Sequence, residues 1–315
     1  MAIDTSPSTT ALPLVSILIP AFNHERFVQR CLDSVLEDPY PAKELIIIDD
    51  GSTDATGARI ADWVATHCMD IPIEYVKREN RGVAATLNEL AARANGEFLR
   101  PGASDDYLLP GGLDAMVSYL LTHPHKGAVI GDSVVVDQGG NTIHDSGMCD
   151  LHGADKRLYR FDGGIRRAVI SQWAFGGPVT LIRKSALDTV ARWSVGLRIE
   201  DWDLFLRLAA RDELGFIDVR VCAYRIHGSN LSMTRQIGAR INNLIESRQI
   251  ALQREGLFEE PYRTLLRAQS HLIGAKISFL ERRPWPVLFH MAVYLSLLMI
   301  SRARLPSASR DVEGT

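Results

Sequence analysis

The stretch Glu44–Asp54, ELIIIDDGSTD, decides the fold. Leu45–Ile48 is an unbroken, isoleucine-rich apolar run, the pattern of a strand buried on both faces of a parallel sheet. It stops at Asp49-Asp50-Gly51-Ser52-Thr53-Asp54. Gly51 supplies the backbone freedom of a tight turn, and the Ser/Thr/Asp cluster caps a following helix. Two carboxylates at the carboxyl end of a central strand stand where open α/β sheets take their ligands.

Working outward, Leu14–Pro20 (LVSILIP) reads as a first buried strand, stopped by Pro20. After Ala21-Phe22-Asn23 the spacing of Phe27, Val28, Cys31, Leu32, Val35 and Leu36 predicts a helix from Glu25 to Leu36, broken by Pro39 and Pro41. A second helix is expected over about Ala55–Ala65 and a third strand at Ile73–Val76. The order β-α-β-α-β implies a parallel sheet with right-handed crossovers. The turn after the first strand reads PAFNHERF, without the glycines of a dinucleotide fold or of a P-loop. A nucleotide here must have its phosphates held another way.

Further on, Asn80-Arg81-Gly82 is a turn before an alanine-rich helix that Asn95-Gly96 ends. Phe98-Leu99 opens a strand, and Asp105-Asp106 lies just beyond it, a second carboxylate pair near the same edge. As a turn or helix cap, this pair needs no chemistry. Gly131–Asp137 reads as a strand and Gln138–Asn141 as a hairpin turn, with a loop at Phe175-Gly176-Gly177-Pro178. Glu200-Asp201-Trp202-Asp203 precedes an amphipathic helix, where acids in the first turn gain roughly 0.3–1 kcal/mol from the helix dipole without any catalytic role. A strand at about Phe216–Val221 leads into Tyr224–Asn230.

The chain has 315 residues, 46% hydrophobic and 23% charged, enough for one large α/β domain with an appendage. A net charge of -3 offers no field for nucleic acid. Cys31, Cys68, Cys149 and Cys222 lack metal-site or disulfide spacing, so reduced thiols in a cytoplasmic protein are expected. Residues 1–13 read as a disordered tail rather than a signal peptide. From 233 to 315 the pattern is helical. Its segment Val287–Ile300 is apolar nearly all round, shorter than the roughly 20 residues of a standard span, with Trp285 at its entrance and arginines at 282, 283, 302 and 304. The stretch 285–304 therefore reads either as an interfacial membrane helix or as a helix buried in protein or in a homodimer.

In order, SILIPAFN, ELIIIDDGSTD, NRGVAATLNELAARANGEFLRPGASDDYLLP, IEDWDLFLRLA and YRIHGSNLS resemble the inverting family 2 glycosyltransferases of GT-A fold. The likeness spans about Val15–Ser232 and sets the domain at 14–232. It implies a Rossmann-like, mostly parallel sheet flanked by helices. It also implies one sugar moved from a nucleotide-diphosphate donor, UDP-linked by preference, to a saccharide or lipid-linked acceptor in bacterial surface-glycan synthesis. Asp49, Asp50 and Ser52 would hold the base or ribose, with Pro20, Ala21 and Asn23 lining the pocket and Arg81 near the donor. Asn23 reads equally as a helix cap. Asp105 and Asp106 would carry Mn²⁺ or Mg²⁺, which suit hard oxygen ligands. Without such an ion, like charges about 4 Å apart cost roughly 4 kcal/mol at an effective dielectric near 20. The chain departs from the family at Ala103, where many members have a further Asp, and at Arg100-Pro101, in a strand that is usually apolar. Asp201 is the expected general base, with Glu200 and Asp203 as alternatives. Trp202 is either an acceptor platform or core, and His227 either a metal ligand or structural. The rival readings are a catalytically silent nucleotide- or carbohydrate-binding relative and a nucleotidyltransferase.

Overall fold

A computed structural model describes residues 12–228 and 236–305. The expected boundary at 232/233 and most of the expected N-terminal tail lie outside the described residues, as do Ser229–Ser232 of the last motif. The strands are β1 (Val15–Ala21), β2 (Lys43–Asp49), β3 (Ile73–Lys77), β4 (Phe98–Pro101), β5 (Tyr107–Leu108), β6 (Ala128–Val136), β7 (Thr142–His144), β8 (Thr180–Arg183) and β9 (Leu214–Arg225). They form one sheet in the order β3-β2-β1-β4-β8-β6-β9-β5, with β7 paired to β6. The half β3-β2-β1-β4 is parallel. β8 runs against both β4 and β6, β9 returns parallel to β6, and β5 and β7 are short antiparallel additions. The carboxyl ends of β1, β2, β4, β6 and β9 therefore share one edge, and the site is built there.

The helices are α1 (Val28–Glu37), α2 (Thr56–His67), α3 (Val83–Arg93), α4 (Gly112–Thr122), α5 (Asp162–Ser171), α6 (Lys184–Thr189), α7 (Glu200–Ala210), α8 (Ile237–Arg254), α9 (Tyr262–Leu280) and α10 (Pro284–Arg302). α1 begins three residues later than its periodicity suggested. The N–H groups of Phe27 and Val28 close a turn on His24 O, and Glu25 is drawn away to accept the Ala55 N–H at 2.9 Å. β2 is buried throughout, as its apolar run requires. Gly51 has φ +80°, and a Cβ there would stand 2.7 Å from the Asn80 nitrogen, so only glycine fits the turn.

The hydrophobic core is continuous from β1 through Ile250 of α8 to Leu265 and Ile273 of α9. α8 and α9 thus extend the core built around the sheet. α10 is 19 residues long, longer than its apolar segment, because Pro284 is tolerated in a first helical turn and Ser301-Arg302 add the last one. By length and composition it could cross a membrane.

Candidate active site

At the carboxyl end of β2 both carboxylates are buried and engaged in shaping loops. Asp49 Oδ1 accepts the Ser52 N–H at 2.9 Å, and Lys77 Nζ lies 3.9 Å from Oδ2. Asp50 accepts the backbone N–H groups of Arg81 at 2.9 Å and Gly82 at 3.0 Å, and is paired with the Arg78 guanidinium. Arg78 also reaches Glu89 and Thr86. The cation that answers Asp50 is thus Arg78, which the sequence reading passed over. The Arg81 side chain is 66% exposed, 3.9 Å from Glu89. Asn23 lies in the left-handed region and ties the first loop to the second: its N–H donates to Ser52 Oγ at 3.0 Å and its Oδ1 accepts the Thr53 N–H at 2.8 Å. It caps no helix; α1 starts after Phe27 without a side-chain cap. Ala21 O accepts the Asp50 N–H at 2.8 Å, which joins Pro20-Ala21 to this wall.

The Asp105-Asp106 pair is split between two environments. Asp105 faces the edge: its Oδ2 lies 2.9 Å from His227 Nε2 and its Oδ1 3.7 Å from His24 Nδ1. Ligand atoms of His24, Asp105 and His227 all fall within 4.8 Å of one another. Burial opposes ionisation of Asp105, but the His227 hydrogen bond and the His24 charge hold its carboxyl below the usual range. Burial, then His227, lowers His24 against the pull of Asp105, the direction that favours the neutral imidazole a metal takes. Asp106 turns inward, where Oδ1 accepts the Arg225 N–H at 2.8 Å. Burial and then the Asp105 charge push its carboxyl well up. It lines a small cavity with Cys31, Arg100 and Cys222. Arg100, buried, donates to Pro101 O at 2.7 Å, so the polar residue in this strand belongs to an internal cluster around Asp106. Arg225 braces the motif through Asp105 O at 2.9 Å and stacks 5.0 Å over the Phe27 ring. His24 had one sequence signal, a histidine in the loop that leaves β1.

The acids that begin α7 also have separate roles. Asp201 keeps some accessible surface. Its Oδ2 accepts the Gly177 N–H at 2.7 Å and its Oδ1 the Trp193 indole N–H at 3.3 Å. Burial raises its carboxyl above the usual range against those two donors. Glu200 is buried with Oε2 unpaired, and burial, then Asp201, push it up to about 8. Asp203 is locked: it accepts from Ser194 at 2.7 Å and Arg254 at 2.6 Å, and Arg207 lies at 2.8 Å. Trp202 is core, its indole donating to Val169 O at 2.8 Å. Gly177 links the two acid motifs, since a Cβ on it would lie 3.3 Å from Pro101 and 3.5 Å from Asp201. All four cysteines are free.

The comparisons agree with this architecture. The solved structures of a mannosyltransferase, PcManGT from Pyrobaculum calidifontis, in complex with GDP-Man and Mn²⁺, and of S. aureus TarS 1–349, in complex with UDP-GlcNAc, share the fold. Their TM-scores are 0.65 and 0.59, at 21% and 15% identity, covering 98% and 90% of this chain and 81% and 89% of theirs. The fold is GT-A. The sequence profile of glycosyl transferase family 2 matches residues 16–190, and the chain belongs to that family. The poly-beta-1,6-N-acetyl-D-glucosamine synthase of Staphylococcus epidermidis is 31% identical over 199 residues, which is 61% of this chain and 46% of the synthase. The chain thus spans less than half the length of that relative.

Proposed function

We propose that the protein transfers a single sugar, with inversion, from a nucleotide-diphosphate sugar, UDP-linked by preference, to a saccharide or lipid-linked acceptor in bacterial surface-polysaccharide synthesis. The observation that carries this reading is the convergence of His24, Asp105 and His227 at the edge where β1, β4 and β9 end. Two imidazoles and a carboxylate, completed by phosphate oxygens, make a donor set that fits Mn²⁺ and, less well, Mg²⁺. His24, Asp105 and His227 would hold the ion, which would supply positive charge against the diphosphate leaving group.

The nucleoside rests against the wall made by Pro20, Ala21, Asn23 and Ser52 and the loop at Arg81. Asp49 and Asp50 hold that wall through the backbone groups described above. Asp201 takes the proton from the acceptor hydroxyl in a single in-line displacement. It is favoured over its neighbours because it keeps accessible surface, whereas Glu200 is buried and Asp203 is bound by two arginines. A raised carboxyl suits a base working near neutral pH. The Gly177 N–H fixes which way its carboxylate faces.

The test is nucleotide release from UDP-, GDP- and dTDP-sugars, with Mn²⁺ or EDTA. Metal-dependent release of one nucleotide, lost in Asp105→Asn, supports the reading. Neither release nor binding with any donor would sink it. Metal-dependent binding without release would favour the silent relative.

A further inference from the structure

The solvent side of α10 is apolar except at Ser296, whose hydroxyl donates back to Ala292 O at 3.0 Å. Trp285, Leu288, Phe289, Leu295, Met299 and Ile300 are exposed, Trp285 by 79% and Met299 by 67%. They recur at helical spacing, so they form one stripe about 22 Å long. The opposite side is fastened to α9. His290 Nδ1 lies 3.1 Å from His271 Nδ1, and Ser301 Oγ donates to Pro261 O at 3.2 Å. α9 is in turn anchored through buried Leu265 and Leu266, the Tyr262 hydroxyl on Gly163 O at 3.1 Å, and Arg166 over the Tyr262 ring at 4.4 Å. A helix held by one side along its length cannot also pass through a bilayer. An exposed stripe of this size marks an interaction surface.

The charges say what covers it. α10 contains no acid; exposed arginines stand at 282 and 283 before it, where Glu281 lies 3.5 Å from Arg283 and leaves a positive surplus, and at 302 and 304 near its end. In a two-fold pairing of the stripe with a second copy, parallel or antiparallel, arginines would meet arginines. An anionic lipid surface meets apolar side chains with acyl chains and arginines with headgroup phosphates. We propose that α10 lies flat in the headgroup region of an anionic membrane and holds the enzyme on it. This does not depend on the donor or metal reading.

The test pellets the full chain with vesicles of phosphatidylcholine alone or mixed with phosphatidylglycerol. One variant carries Leu288→Glu, Phe289→Glu and Leu295→Glu; a second carries Gln at Arg282, Arg283, Arg302 and Arg304. All these side chains are exposed, so circular dichroism and the unfolding midpoint should match wild type. The wild type should bind the anionic vesicles. The apolar variant should lose at least about tenfold in partitioning, and the arginine variant should lose the preference for anionic lipid. Wild type that stays in the supernatant, or an apolar variant that binds as well as wild type, overturns the proposal. So does a dimer seen by light scattering that the apolar variant splits while no vesicle is bound; the stripe would then belong to a second copy.

Discussion

His227 Nε2 stands 2.9 Å from Asp105 Oδ2, although 122 residues separate them. β9 runs parallel to β6 and delivers His227 to the edge where the loop after β4 places Asp105. The two can act on one ion only because the sheet is wound this way. Asp105→Asn and His227→Ala should each lower metal-dependent turnover by about 100-fold or more, equivalent to roughly 3 kcal/mol of transition-state stabilisation. Asp106→Ala should act differently. It removes the acceptor of the Arg225 N–H and opens the buried cluster with Arg100, so it should lower the unfolding midpoint along with the rate. Steady-state kinetics beside urea unfolding separate the two effects.

The two arginines near Asp50 make a sharper contrast. Arg78 packs against the carboxylate with its side chain only 10% exposed, whereas the Arg81 side chain is in solvent. Removing one partner of a buried pair strands the other charge, which costs about 3–5 kcal/mol. Arg78→Ala should therefore destabilise by roughly that amount. Arg81→Ala should stay within about 0.5 kcal/mol in stability, because only its backbone N–H serves Asp50. A change in donor KM for Arg81→Ala with no change in stability would place its guanidinium on the donor.

Glu200 ties stability to pH. Its folded value is about 8 against an ordinary 4.5, so the folded state holds its proton where the unfolded chain has released it. The stabilisation is full below about 4.5 and is lost as pH rises through about 8. Glu200→Gln should therefore gain on wild type by a few kcal/mol between pH 5 and pH 8.5, read from urea midpoints. The activity has the opposite slope, since kcat/KM should rise with pH as Asp201 ionises, from a value above the usual carboxylate range. Asp201→Asn should abolish that limb together with transfer.

A Cβ on Gly57 would collide with Asp49 Oδ2 and stand 3.1 Å from Lys77 Nζ. Gly57→Ala must push Asp49 off the Ser52 N–H. The expected result is weaker nucleotide binding by calorimetry, although alanine is the better helix former in α2.

Much of this was legible from the residues. The apolar run of Leu45–Ile48 and its stop at Asp49 could only be a central parallel strand, and the element order fixed the neighbours of β2. The family resemblance assigns Asp105 to a metal and offers His227 for the same ion as one of two readings. Three features were not legible. His24 looks like any loop histidine until β1 and β9 end side by side. Asp106 is chemically identical to Asp105, and only the Arg225 N–H shows which of the two turns inward. Arg78 and Arg81 differ in burial, which local sequence does not encode. An all-round apolar helix such as α10 has no periodicity to reveal its free side, so its stripe came from packing on α9.

The central claim is that Asp105, with His24 and His227, holds a divalent ion for a nucleotide diphosphate. Mn²⁺ binding followed by electron paramagnetic resonance, with and without UDP or GDP, tests it most directly. Wild type should bind Mn²⁺ more tightly when its nucleotide is present, and Asp105→Asn should lose that gain while remaining folded. Equal Mn²⁺ binding by wild type and Asp105→Asn, with nucleotide present, would contradict the account.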